Sequence, residues 1–386
     1  MAITTIPDAR VRDPLAALPF WCSLTMVPAI WLSALQGGWW VLAVPVYAWG
    51  LYALLDLLTP RQEGNADPGM ERRGLGWYRA ITLLWAPVQA LTLYGLLLYA
   101  TRADHLSGWE LLGLFFGMGV VAGTIGINYA HELVHRPARL DRWLGDVLLA
   151  MVLYSHFRSE HLHVHHRLVA TPHDPVTARY GEGFYGYFAR VLWQCPLSAW
   201  RAESARLARR GLPVRHRSNP FWRYAALQAA ALALALLAGG WLGLALFAVQ
   251  AFAAVWQLEL VDYIEHYGLQ RRHLSSGRYE PVRPHHSWNS AERASNWLLI
   301  NLQRHSDHHY KPDRPFPLLQ TYPDEEAPQL PAGYPVMTVL AMIPPLWRRV
   351  MDPRVRRWRL RHYPDVTDWS PAAARAAEPA GGMSAA

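Results

Sequence analysis

Nine histidines fall in groups whose spacing suits a metal centre. Arg304-His305-Ser306-Asp307-His308-His309, read as a helix, carries three imidazoles on one side of a single turn, because positions three and four apart face the same way. His131 and His135 repeat the four-residue interval. His161, His165 and His166 form a third group, and His266 stands alone in Tyr263-Ile264-Glu265-His266-Tyr267-Gly268. Shared between two ions, these rings supply four or five nitrogens each. Such donors suit Fe, Zn, Cu or Ni, so the ligand set does not by itself name the metal. Neutral imidazoles leave the charge of two divalent ions uncompensated in a low-dielectric setting. Carboxylates just outside the ligands would offset it and orient the rings by accepting their second N–H. Glu132, Glu160, Asp174, Asp262, Glu265 and Asp307 stand where that duty requires; a helix cap or a surface ion pair is the competing use of each.

His131-Glu132-x-x-His135 alone also matches the zinc-protease pattern, two ligands one turn apart with a glutamate base. A site of that kind takes three protein ligands and a water, so one zinc cannot use nine imidazoles. The other histidines, His105, His156, His163, His173, His216, His273, His285, His286 and His362, read as structural or surface residues. Of these, His156, His285 and His286 are the candidates to support the ligands from outside the metal groups.

The elements that must bring these residues together are apolar. Hydrophobic residues make up 52% of the 386 and charged residues 17%, against about a quarter charged in an ordinary soluble domain. Six runs reach or approach the roughly 20 residues needed to cross hydrocarbon: 18 to 36, 39 to 59, 78 to 100, 108 to 130, 221 to 239 and 241 to 264. No cleavable signal peptide is evident in residues 1 to 17. The net charge of +8 comes from arginines beside and between the runs, which indicates a cytoplasmic face rather than nucleic acid. Arg10, Arg12, Arg61, Arg72, Arg73, Arg79, the stretch 136 to 223 and everything after 266 are assigned inside; the links 36 to 38, 101 to 107 and 239 to 240 are assigned outside. Both termini and every histidine group then fall on the cytoplasmic side.

The expected organisation is a polar lead-in at 1 to 17, one transmembrane domain with a cytoplasmic catalytic cap at 18 to 366, and a disordered tail at 367 to 386. An interfacial helix is expected within 141 to 157 and an amphipathic one around 198 to 211. Gly113, Gly117, Gly119, Gly123 and Gly126 in the fourth run mark helix packing, or a slot for a thin apolar substrate. The two cysteines, Cys22 and Cys195, cannot build an iron–sulfur carrier, so electrons would come from another protein.

At these residues the chain resembles the membrane di-iron alkane 1-monooxygenases. The resemblance lies in His131-Glu132-Leu133, Glu160-His161-x-x-x-His165-His166, Asp262-Tyr263-Ile264-Glu265-His266-Tyr267-Gly268 and Leu302-Gln303-Arg304-His305-Ser306-Asp307-His308-His309. Val169-Ala170-Thr171-Pro172, Gly277-Arg278-Tyr279-Glu280, Pro284-His285-His286-Ser287-Trp288-Asn289-Ser290 and Trp347-Arg348-Arg349-Val350-Met351-Asp352-Pro353 extend it over most of 128 to 355. It implies an all-α, desaturase-like six-span bundle with two irons held by His131, His135, His161, His165, His166, His266, His305, His308 and His309. It further implies terminal hydroxylation of medium- or long-chain n-alkanes with dioxygen, in a bacterial inner membrane. Electrons would come in trans from a rubredoxin and its NAD(P)H-dependent reductase. Two departures stand out: Leu162-His163-Val164 replaces a polar-polar-Gly triplet, and Asp262 replaces an Asn.

Trp31, Trp49, Tyr52 and Trp85 are candidates for setting chain length. Arg136, Arg139, Arg142, Arg348, Arg349 and Arg354 are candidates for docking an acidic carrier or lipid headgroups. The alternatives in the same chemical class are an aromatic-methyl (xylene-type) monooxygenase and a fatty acyl desaturase. Outside it stand an intramembrane zinc protease and a metal store or transporter, the latter disfavoured because no acidic or histidine residues line the middle of several spans.

Overall fold

The computed structural model describes residues 3–369, so the expected tail lies outside the described residues from 370 onward, as do the side chains of Arg72 and Arg73. Five helices are long and apolar enough to cross a bilayer: α1 (Pro14–Gln36), α2 (Gly38–Leu58), α3 (Gly76–Ala100), α4 (Gly108–Val134) and a fifth, Phe221–His266. Asp13 caps the first by accepting from the Leu15 amide at 2.9 Å, with Pro14 in the first turn. Gly37, at φ 62°, makes the turn into α2, a backbone region that costs a side-chain-bearing residue. Pro87 sits inside α3 without ending it.

The two runs expected after residue 220 meet at Gly240, whose non-helical φ of 60° and ψ of −152° breaks the 46 residues Phe221–His266 into two helical limbs. A Cβ placed on Gly243 would lie 2.9 Å from the Ala235 carbonyl oxygen. In an unbroken helix those residues would be about 12 Å apart along the axis, so the chain doubles back at Gly240 into two packed limbs.

The centre of the bundle is α4, buried continuously from Gly117 to Val134. Its glycines serve close packing: a Cβ on Gly119 would fall 2.5 Å from the Gln250 carbonyl, and one on Gly123 would fall 2.6 Å from that of Ala254. Gly113 and Gly117 meet Val41 and Ile30, and Gly126 meets Gln89. Small residues thus let backbones approach, as membrane helices require, and Gly123 also borders a small cavity. Exposed tryptophans mark both ends of the bundle, Trp39, Trp109 and Trp241 at one and Trp77 and Trp222 at the other, the usual position of rings at a membrane interface.

Beyond α4 the chain builds a cap: α5 (Arg139–Ala150), α6 (residues 157–168), α7 (Phe184–Ala208), then the long helix, numbered α8, and α9 (Arg293–Leu298), α10 (His305–Tyr310), α11 (Tyr334–Ala341) and α12 (Pro344–His362). The helix expected near 198 to 211 begins earlier, because Phe184, Tyr187, Val191 and Cys195 continue its buried stripe. The lead-in folds back, Thr4–Ile6 pairing in parallel with Gly64–Ala66.

Gly119→Ala is expected to lower the thermal midpoint of the detergent-solubilised protein, because overpacking a close contact costs about 1–3 kcal/mol. Gly186→Ala, in a helix with open space around the added methyl, should leave it unchanged or raised. Differential scanning fluorimetry distinguishes the two; equal midpoints would contradict the close approach of α4 and α8.

Candidate metal centre

The histidine-bearing segments meet at the buried end of α4. His131 and His135 stand on its last turn and just beyond, and His266 ends α8. The short helix α10 supplies three rings, and α6 supplies three through a wide turn. From His161 to His165 the backbone is π-helical, with the His166 N–H donating to the His161 carbonyl five residues back. That extra residue per turn brings His161 and His166 together, their Nε2 atoms 2.9 Å apart, and turns His165 aside. A second π-turn, Ala122–Ile127, resets the phase of α4 one turn before His131.

The nine rings sort into two sets. In one, His131, His135, His161, His166 and His308 bring one ligand atom each to within 4.8 Å of one another; in the other, His165, His266, His305 and His309 do the same. The sets adjoin, with the ring centroids of His166 and His309 4.8 Å apart. Reading α6 as an ordinary helix would pair His161 with His165. The structure separates them, and α10 likewise sends His305 and His309 to one set and His308 to the other.

Hydrogen bonding cannot account for this crowding. The Nε2 atoms of His135, His161 and His166 form a closed triangle at 3.0, 2.9 and 3.2 Å, and His166 Nε2 also lies 3.1 Å from His308 Nε2. Each such atom has one proton or one lone pair, so it satisfies one partner only. A cation among them satisfies all. Nitrogens about 2.1 Å from one ion and at right angles lie about 3.0 Å apart, against about 3.4 Å in a tetrahedron. The observed spacings match the former, which is a poor match to four-coordinate zinc. Burial holds His161, His166, His305, His308 and His309 well below the ordinary imidazole range and His135 down at about 4, and neighbouring imidazoles add to the effect. These rings are therefore neutral donors at neutral pH.

The six carboxylates take different places. Asp174 accepts from His165 Nδ1 at 3.0 Å and is itself held by the Thr177 hydroxyl at 2.7 Å. Glu265 lies 3.2 Å from His305 Nε2 and accepts from the Tyr334 hydroxyl at 2.8 Å. Asp262 groups with Glu265 and His266. Glu160 lines a small void with His161, His165 and Glu259, and its Oε1 is buried without a partner. Burial, and next the charge of Asp174, push the Glu160 carboxyl well above its usual range, an expense that nearby cations would remove.

Glu132 and Asp307 are corrections to the expected set. Glu132 pairs with Arg136 and accepts from the Phe316 amide, so the glutamate of the protease-like pattern faces away from the rings. Asp307 binds Arg314, the Gln320 amide and the Tyr322 hydroxyl, fixing the loop that follows α10. His163, with its side chain 41% exposed, points to Glu203 3.7 Å away. His156 packs on Tyr154, while His285 and His286 bond the Tyr363 hydroxyl.

Sequence reasoning did not anticipate Arg304 as an anchor. Its buried guanidinium donates to the carbonyls of Leu319, Gly64 and Gln62, tying the Gly64–Ala66 strand and the segment at Leu319 to the turn that carries His305. Nor did it single out Thr124, Leu258, Val261 and Leu302. With Gly123 and Phe157 they line a small cavity of about 30 Å³ that touches His131 and His161 of one set and His305 of the other.

The chain matches the fatty acid desaturase family model over residues 107–341. It is 41% identical over 351 residues to alkane 1-monooxygenase 1 of Pseudomonas aeruginosa, covering 87% of this chain and 89% of that protein. It is 37% identical over 368 residues to alkane 1-monooxygenase 2 of Alcanivorax borkumensis, covering 92% and 94%. The hydroxylase component of a xylene/toluene monooxygenase of Pseudomonas putida is 28% identical over 332 residues, covering 84% and 85%.

Asp174→Ala is expected to weaken metal binding about 10- to 100-fold. His161→Ala should lose metal while His163→Ala keeps the parent content, as read by inductively coupled plasma analysis of the purified protein; equal loss in both would contradict the two sets. The buried rings bind protons less readily folded than unfolded, so the unfolded chain gains protons first as pH drops below 6.5. The thermal midpoint of the metal-free protein should therefore fall between pH 6.5 and about 4. A flat profile across that window would show that the rings are not buried neutral.

Proposed function

We propose that this chain, which belongs to the alkane 1-monooxygenase family, hydroxylates the terminal methyl of medium- or long-chain n-alkanes with dioxygen and two electrons per turnover. The carrying observation is the division of nine buried or half-buried imidazoles into a set of five and a set of four with a shared apolar cavity beside both. On this reading His131, His135, His161, His166 and His308 hold one iron, and His165, His266, His305 and His309 hold the other. Two irons so held supply the oxidative chemistry that no side chain carries.

The protein's own residues do the rest. Asp174 fixes the ring plane of His165 through its Nδ1–H. Glu265, Asp262 and Glu160 add negative charge beside neutral ligands, which offsets the charge of the ions in a buried setting. Leu258, Val261, Leu299 and Leu302 exclude water and hold an apolar group against the rings. The cavity admits about two water-sized groups, which suits the end of a chain; the remainder of an alkane would lie between spans. Glu132, the glutamate of the protease-like pattern, is held by Arg136 instead.

Six crossings are supported by the two limbs of α8, and a cytoplasmic cap by the arginines gathered beyond α4 and along α12. Separate delivery of electrons, by a rubredoxin and its NAD(P)H-dependent reductase, is supported by a chain whose two cysteines cannot build a Cys₄ iron centre.

Protein loaded with iron is expected to contain two irons per chain and to convert octane or hexadecane to the primary alcohol, by gas chromatography, with xylene a weaker substrate. A new double bond in an acyl chain with no alcohol from alkanes would instead identify a desaturase. Val261→Phe, which fills the cavity, should lower turnover at least about tenfold, roughly 1.4 kcal/mol in the barrier, while both irons are retained. Unaltered turnover would move the substrate site elsewhere.

A further inference from the structure

We infer that electrons enter this chain through a stack of rings at the end of α12, beneath a basic surface that fits a small acidic iron–sulfur protein. The inference rests on the monooxygenase reading, since only an enzyme that consumes reductant needs such an entrance. The Trp358 and His362 rings lie 4.3 Å apart, His362 stacks on His285 at 4.6 Å with planes 17° apart, and His285 meets His286 at 4.2 Å. Trp358, His362 and His285 are partly exposed, whereas His286 is 1% exposed. The stack therefore runs from surface to interior.

From His286 two short connections reach the four-histidine set. The Ser287 carbonyl accepts from Ser306 Oγ at 2.8 Å, and Ser306 follows His305 in the chain. Trp288 Nε1 donates to the Tyr267 carbonyl at 2.9 Å, and Tyr267 follows His266. A structural duty explains part of this region: the Tyr363 hydroxyl gathers His285, His286 and Glu280 into a clamp. It does not account for Trp358 and His362 continuing the stack outward, with His362 Nε2 buried and unpartnered. The clamp is also no third metal site, because one hydroxyl can donate to Glu280 while accepting from both rings, leaving no crowding for a cation to relieve.

The surrounding charge selects the partner. Arg283, Arg356, Arg357 and Arg361 are exposed, and the nearby Asp365 is tied to Arg272 at 2.5 Å. Arg361 lies three positions from Trp358, on the same side of the helix. By contrast, of the arginines that follow α4, Arg136 and Arg142 are occupied by Glu132 and by the carbonyls of Arg136 and Pro137, and Arg139 is exposed. An acidic carrier would be steered to the α12 surface. Each transfer oxidises the carrier's iron from Fe(II) to Fe(III) and reduces the metal centre by one electron. Two transfers and two protons balance the conversion of RCH₃ and O₂ to RCH₂OH and H₂O. No bond forms or breaks along the route.

The test uses the full, iron-loaded chain in phospholipid nanodiscs, zinc-substituted rubredoxin as a redox-silent binding probe, and reduced rubredoxin for stopped-flow reoxidation. Arg356→Glu/Arg357→Glu/Arg361→Glu should weaken binding of the zinc form by about tenfold or more and remove most of its salt dependence. Arg209→Glu/Arg210→Glu, elsewhere on the surface, should not. His362→Leu and Trp358→Phe should slow reoxidation several-fold at saturating rubredoxin, with binding and iron content retained. Unchanged affinity in the triple variant, with loss only of binding to anionic vesicles, would overturn the docking surface in favour of lipid headgroups, and unchanged reoxidation in both ring variants would overturn the route. If the parent hydroxylates alkane with dithionite yet reoxidises no rubredoxin, the donor assignment falls and this route with it.

Discussion

The structure depends on keeping nine imidazoles closer together than hydrogen bonding can justify. Nitrogens of three residues converge in a triangle with edges of 2.9 to 3.2 Å, and each has one proton or lone pair to offer. Removing such rings from water has no return unless something positive lies among them. The rest of the fold can be understood as what holds this arrangement under strain: a central helix packed by glycine contacts, a hairpin in α8 that returns His266 to the same end, and a cap that closes over it.

Much of this was legible in the sequence because it depends on composition and period. Apolar runs located the helices, and Gly37 and Gly240 stood at turns where left-handed backbone is needed. The nine ligand candidates were legible from spacing and from family resemblance. Their partition was not. A four-residue interval reads as one face only if the helix is regular, and α6 is not: its π-turn places His161 with His166 and sends His165 to the other set. Nothing in His161-Leu162-His163-Val164-His165-His166 announces a five-residue turn, since the cause lies in the metal set that the turn serves.

The carboxylates illustrate the same limit. Proximity in sequence placed Glu132 and Asp307 beside ligands, but adjacent residues on a helix point about 100° apart, and both face arginines instead. Asp174, more distant in sequence, reaches His165 because a tight turn after α6 brings it back. Arg304 was visible as part of the motif, yet its function as a buried tether to three carbonyls needs Gln62 and Gly64, more than 200 positions away, as well as Leu319. The apolar part of the cavity beside both sets is built from Phe157, Leu258, Val261, Leu299 and Leu302, none of which carries a chemical signature alone.

The account stands or falls on how metal is distributed. Anomalous diffraction at the iron edge from crystals of the iron-loaded protein tests it most directly. Two separate peaks are predicted, one among His131, His135, His161, His166 and His308 and the other among His165, His266, His305 and His309. A single peak, or a signal only at the zinc edge, would contradict it.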